Sequence, residues 1–200
     1  MEHKIAAHIC DYMTRNGIIR DDFLEVYVYG TELLLSFLTS VLLVLGTGAL
    51  LGRIAHTIAF LVVFILVRRF TGGYHAHTYV ICKLFTVGTY LTVMLLSHVA
   101  EVTMPYYLLM TLPGLLVVAI WGPIENPNKP LSETARKKHK LTGLVLYTLT
   151  VLVGIYLHTL SQPFGNVICY TLASIIVLMI LAILKKGIAN DEKDSCKTGS

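Results

Sequence analysis

The chain has 200 residues, 55% of them apolar and 14% charged, with a mean hydropathy of +0.70. Soluble domains carry roughly 25% charged residues, so too little polar surface exists here to cover a water-soluble globule. That excludes a soluble enzyme, a disordered chain and a disulfide-stapled secreted domain. Cys10, Cys82, Cys169 and Cys196 stand far apart, with no CxxC pair to suggest zinc or redox chemistry. The net charge of +4 matters less than where the charges fall. The composition predicts an all-α polytopic membrane protein, a single domain over 1–200.

Residues 1–22 carry Lys4, Asp11, Arg15 and Arg20 and no uninterrupted apolar core, so they do not read as a signal peptide. Ile5, Ile9, Tyr12 and Met13 recur at helical spacing and predict an amphipathic helix, lying in the headgroup region or packed on the rest of the protein. Six apolar stretches follow: 23–46, 49–67, 82–100, 102–121, 141–160 and 167–184. Most reach the roughly 20 residues needed to cross hydrocarbon. Gly46-Thr47-Gly48 predicts the turn between the first two. Arg53 leaves only 14 uncharged residues from Ile54 to Val67, so it either snorkels at the outer end or shortens the second span. Pro105 and Pro113 fall in the fourth stretch, and 185–200 reads as a polar tail.

Placing both termini in the cytosol puts 15 of the 16 Lys and Arg residues there and leaves Arg53 outside, which satisfies the positive-inside rule.

The chemistry-bearing segment joins the second and third spans, from Arg68 and Arg69 through Gly72, Gly73, Tyr74, His75, Ala76 and His77 to Cys82 and Lys83. The glycine pair predicts the end of a helix. A histidine and a cysteine follow, seven residues apart, beside the membrane. A cysteine nucleophile needs a base within hydrogen-bond reach, and imidazole titrates near neutrality. On a straight helix, seven residues share a face but lie roughly 10 Å apart along the axis. Either the chain bends between Tyr74 and Cys82 or two segments or subunits supply the pair. A helix N-terminus near Cys82 would aid thiolate formation.

This block, Arg68-Arg69-Phe70-Thr71-Gly72-Gly73-Tyr74-His75-Ala76 followed by Cys82, resembles the signature of the accessory gene regulator B (AgrB) family of membrane-embedded cysteine endopeptidases. Chain length, the six-span hydropathy and the later loop from Pro123 to Pro130 extend the likeness over most of the chain. The resemblance implies that His75 and Cys82 are catalytic, with Arg68, or failing that Arg69, as the matching arginine and Gly72, Gly73 and Lys129 in support. It further implies cleavage of an AgrD-like quorum-sensing propeptide through an acyl-enzyme thioester, with a thiolactone ring closed by a thiol of the precursor. A homodimer in the cell membrane is implied, with the active site on the cytosolic face, where basic residues attract the precursor's acidic C-terminal tail.

Competing readings are weaker in pattern. Cys169 reads as an apolar filler, and His56, His98 and His158 lie in or at the ends of spans. His77 rivals His75, but His75-x-His77 with Cys82 lacks a fourth ligand, so no metal or other cofactor is expected, and no nucleic acid. Glu32 is an unusual charge within the first span, with a role as third catalytic partner unsupported. The run 136–140 reads as an orientation determinant. A small six-span transporter is the alternative function, although its polar residues would be expected near the midplane.

Overall fold

The structure, a computed structural model, describes the backbone of residues 2–72, 79–124 and 132–198 and side chains as far as Lys185. Among the described residues, seven α-helices follow one another: α1 Glu2–Arg15, α2 Leu24–Leu50, α3 Ile54–Thr71, α4 Tyr79–Val99, α5 Met104–Trp121, α6 Glu133–Leu160 and α7 Gln162–Thr198. Six of them, α2 to α7, are long and apolar enough to cross a membrane. This is the all-α polytopic membrane architecture that composition predicted. Helices suit that setting because each satisfies its own backbone hydrogen bonds where no water is available.

The amphipathic α1 packs on α2, but not through the bulky residues its spacing singled out. Ala6 and Cys10 are fully buried, whereas Ile5, Ile9 and Tyr12 remain exposed. The Cys10 thiol lies 3.4 Å from the Thr31 hydroxyl, and His3 pairs with the buried Glu32 of α2. Small residues admit the close helix approach, and the larger ones are left for lipid.

The turn expected at Gly46-Thr47-Gly48 is absent, and α2 runs on to Leu50. A glycine pair does not stop a helix where freed backbone groups would find no water. Gly48 instead seats α3: a Cβ there would stand 2.2 Å from the Thr57 hydroxyl. The helix ends at Gly52, whose φ of 65° lets the Arg53 N–H reach the Gly48 carbonyl at 2.9 Å and its own N–H reach Ala49 at 3.0 Å, a Schellman closure. Arg53 occupies the N-cap of α3, outside the span, and its guanidinium meets His98 Nδ1 at 2.9 Å.

Other boundaries shift outward. Ser132 caps α6, its hydroxyl accepting from the Ala135 N–H at 3.3 Å, so the basic run 136–140 belongs to a helix that continues into the fifth span. The sixth span begins at Gln162, and its helix continues through the polar tail to Thr198.

At the centre stands α7, packed against α3, α4, α5 and α6, with Val167, Cys169, Leu172 and Met179 fully buried. Around it, three fully buried tyrosines hold the helices in register. Tyr90 of α4 meets the Thr57 hydroxyl at 2.8 Å. Tyr107 of α5 donates to the Val151 carbonyl at 3.5 Å, and Tyr147 of α6 donates to the Thr111 carbonyl at 3.0 Å. The last two interlock. A Cβ on Gly154 would stand 1.9 Å from the Tyr107 hydroxyl, and one on Gly114 would stand 2.0 Å from that of Tyr147. Each phenol therefore fills the gap left by a glycine on the facing antiparallel helix, and its hydroxyl is not stranded in apolar surroundings.

The outer faces are apolar, with Leu42, Leu116 and Leu152 all more than half exposed, as lipid contact requires. The two ends differ. At one, α2–α3, α4–α5 and α6–α7 are joined by short connections, and Arg53 is the lone Lys or Arg among described residues. The other, the basic end, carries Arg68, Arg69, Lys83, 136–138, Lys140 and Lys185.

Candidate functional site

At the basic end lie the last turn of α3, with Arg68 and Arg69, and the first turn of α4, with Cys82. Cys82 lies three residues into α4 and is half-buried. Its carbonyl accepts from the Thr86 hydroxyl at 3.0 Å, so the helix is regular from this turn onward. Arg68 of α3 is within electrostatic reach of the Cys82 sulfur. Its Cζ lies 5.0 Å from the centroid of the Phe64 ring, one turn earlier, which supports the guanidinium by a cation–π contact. Arg69 points elsewhere, exposed, with its Cζ 5.9 Å from the ring of Phe70. Of the two arginines, Arg68 is the one within electrostatic reach of the cysteine.

Gly72 closes α3. Its N–H donates to the Arg68 carbonyl at 3.0 Å, and its φ of 76° lies in the region that side chains disfavour. The chain then meets the start of the α5–α6 connection. The Ile124 N–H donates to the Thr71 carbonyl at 3.0 Å, and Gly72 and Ile124 form an isolated parallel bridge. A Cβ on Gly72 would stand 2.4 Å from the Ile124 carbonyl oxygen. Glycine is required here for both conformation and space. One turn away, His139 of α6 tilts over Phe70 with centroids 5.5 Å apart, and Gly143 brings α6 close to the Phe70 carbonyl.

Gly73, His75, His77 and Lys129 lie outside the described residues, and so do the approach of His75 to Cys82 and any bend from Tyr74 to Thr78. The described part of the site is thus Arg68, Cys82, Gly72 and their supports. Sequence reading missed Ile124 as a partner of Gly72 and His139 as a partner of Phe70. Neither has a local signal, since both contacts join residues far apart in the chain.

The other cysteines and histidines with described side chains sit elsewhere. Cys10 is buried against α2, and Cys169 is buried in α7 at 4.0 Å from the Met110 sulfur, which fits a packing role. His56 stacks on Phe164 at 4.3 Å, His158 lies beside Tyr107, and His98 holds Arg53, all at the end opposite Cys82. Glu32 stays at the α1–α2 contact. Among the described residues, no group of three His, Cys, Asp or Glu side chains could hold a metal ion.

The family described as Accessory gene regulator B matches residues 6–185. The chain is similar to accessory gene regulator protein B of Staphylococcus saprophyticus, 20% identical over 167 residues that cover 84% of this chain and 85% of that one. It is also similar to the protein of the same name in Staphylococcus aureus strain Mu50, at 20% over 82% and 87% of the two chains. Protein FsrB of Enterococcus faecalis is 27% identical over 82% of this chain and 64% of its own length. No solved structure matches.

Proposed function

The chain belongs to the accessory gene regulator B family, and from that premise we propose that it is a membrane cysteine endopeptidase that processes a short AgrD-like propeptide in quorum sensing. The observation that carries this reading is Cys82, half-buried in the first turn of α4 at the basic end of the bundle and within electrostatic reach of Arg68. A cation and a helix N-terminus both favour the thiolate over the thiol.

In this reading His75 takes the Cys82 proton, and the thiolate attacks the scissile carbonyl to give a tetrahedral oxyanion. Collapse breaks the C–N bond while His75 returns the proton to the departing amine. The C-terminal fragment leaves, and the rest of the precursor stays on Cys82 as a thioester. A precursor thiol then loses its proton to His75 and attacks the same carbonyl, expelling Cys82 as thiolate. One thioester replaces another, so the step is close to thermoneutral and the product is a thiolactone. Limited water access beside the membrane protects the intermediate from hydrolysis.

Both termini and the basic end face the cytosol in this proposal, by the positive-inside rule. Lys129 and the charged first turns of α6 attract the acidic tail of the precursor. The working unit is a homodimer. The test is incubation of the detergent-purified protein with a synthetic precursor, followed by intact-mass analysis. A covalent precursor fragment on Cys82, and a released tail, are expected; a released tail from the Cys82→Ala protein would overturn the reading.

A further inference from the structure

We infer that the α5–α6 connection and the first turns of α6 form a positioning element of the Cys82 site, acting through Ile124 and His139 on the last turn of α3 to hold Arg68 near the cysteine. The contacts form one continuous path. Ile124 donates its N–H to the Thr71 carbonyl and abuts Gly72. Gly72 in turn donates to the carbonyl of Arg68 at 3.0 Å. On the other side, His139 covers Phe70, and Gly143 packs against the Phe70 main chain. Thr71, between them, is fully buried, its hydroxyl donating to the Val67 carbonyl at 3.1 Å. The end of α3 is thus gripped from the α5–α6 side at Phe70, Thr71 and Gly72, and Arg68 stands on the same turn.

The two connections carrying the sequence motifs share this root. Residues 73–78, with His75, begin immediately after Gly72, and residues 125–131, with Lys129, begin immediately after Ile124. A peptide held by the basic first turns of α6 is therefore held by the element that, through His139, grips the end of α3 from which the His75 connection departs. That substrate consequence rests on the peptidase reading above; the positioning of Arg68 does not.

The deciding measurement uses no substrate. Arg68 raises the local concentration of an anionic reagent at Cys82, so the ratio of Cys82 modification rates with iodoacetate and iodoacetamide reports how close the guanidinium stays. The rates are read at Cys82 by peptide mapping of the full-length protein. Arg68→Gln should lower the ratio by about tenfold. Gly72→Ala, whose methyl would press on the Ile124 carbonyl, should lower it by about threefold or more, and His139→Ala by about twofold. Gly46→Ala, in open space on α2, should leave it at the wild-type value. Unchanged ratios in Gly72→Ala and His139→Ala beside a lowered ratio in Arg68→Gln would overturn the inference, as would an unchanged ratio in Arg68→Gln itself. If Gly72→Ala does not fold, the milder His139→Ala decides alone. Should the ratios move as stated while the wild-type protein cleaves no precursor, the peptidase reading fails and the positioning role stands.

Discussion

The two ends of the helical bundle are built on opposite plans. At the Arg53 end, helices turn back within a few residues, His158 is wedged over Gly165, and Arg53 is tied to His98. At the Cys82 end, the connections are longer, the charges are many, and two of those connections meet at their roots, Gly72 and Ile124. One end closes the fold, and the other carries the half-buried Cys82 on a frame ordered by the tyrosine contacts in mid-span and the tight turns beyond them.

Substitutions at the two regions should separate accordingly. The largest effect is expected from Cys82→Ala or Cys82→Ser, which should abolish precursor cleavage while leaving the melting temperature in detergent unchanged; serine does not replace the thiolate because its hydroxyl stays protonated. Cys10→Ala should retain most cleavage. His75→Ala should reduce single-turnover cleavage by roughly 10² or more, and His77→Ala far less; the reverse order would reassign the base. Chelator should leave the rate unaltered. In mid-span the readout changes from rate to stability. Gly154→Ala forces a methyl against the Tyr107 hydroxyl and should cost about 1–3 kcal/mol, seen as a lower thermal midpoint. Smallest is Tyr147→Phe, which removes the hydrogen bond to Thr111 and should cost about 1 kcal/mol. A Gly154→Ala protein that melts normally but cleaves poorly would break the separation between frame and site.

Hydropathy alone located the six spans because lipid contact requires long apolar runs whatever the packing. It misplaced their ends where polar residues continue a helix. Ser132 begins α6 well before Leu141 because a capped helix propagates through Arg136 and Lys140 once they can reach water. The glycines at 46 and 48 look like a turn in sequence, yet they lie inside a helix, and Gly48 makes room for Thr57. In α1 the bulky residues drew attention, while the small Ala6 and Cys10 make the contact. Arg68 and Cys82 could be singled out in the sequence because they lie within one short motif. Ile124 against Gly72 and His139 against Phe70 were not, since main-chain bridges and ring contacts across helices leave no periodicity in either partner.

The paired seats of Tyr107 over Gly154 and Tyr147 over Gly114 carry a consequence for how this chain can vary. Each phenol and its glycine share one volume, so a larger residue at 154 is admissible only alongside a trimmed one at 107, and likewise at 114 and 147. The two pairs sit on the same antiparallel helices, each close to its neighbour's backbone. Variation at these four positions is therefore expected in matched pairs, whereas lipid-facing positions such as Leu116 and Leu152 carry no such constraint.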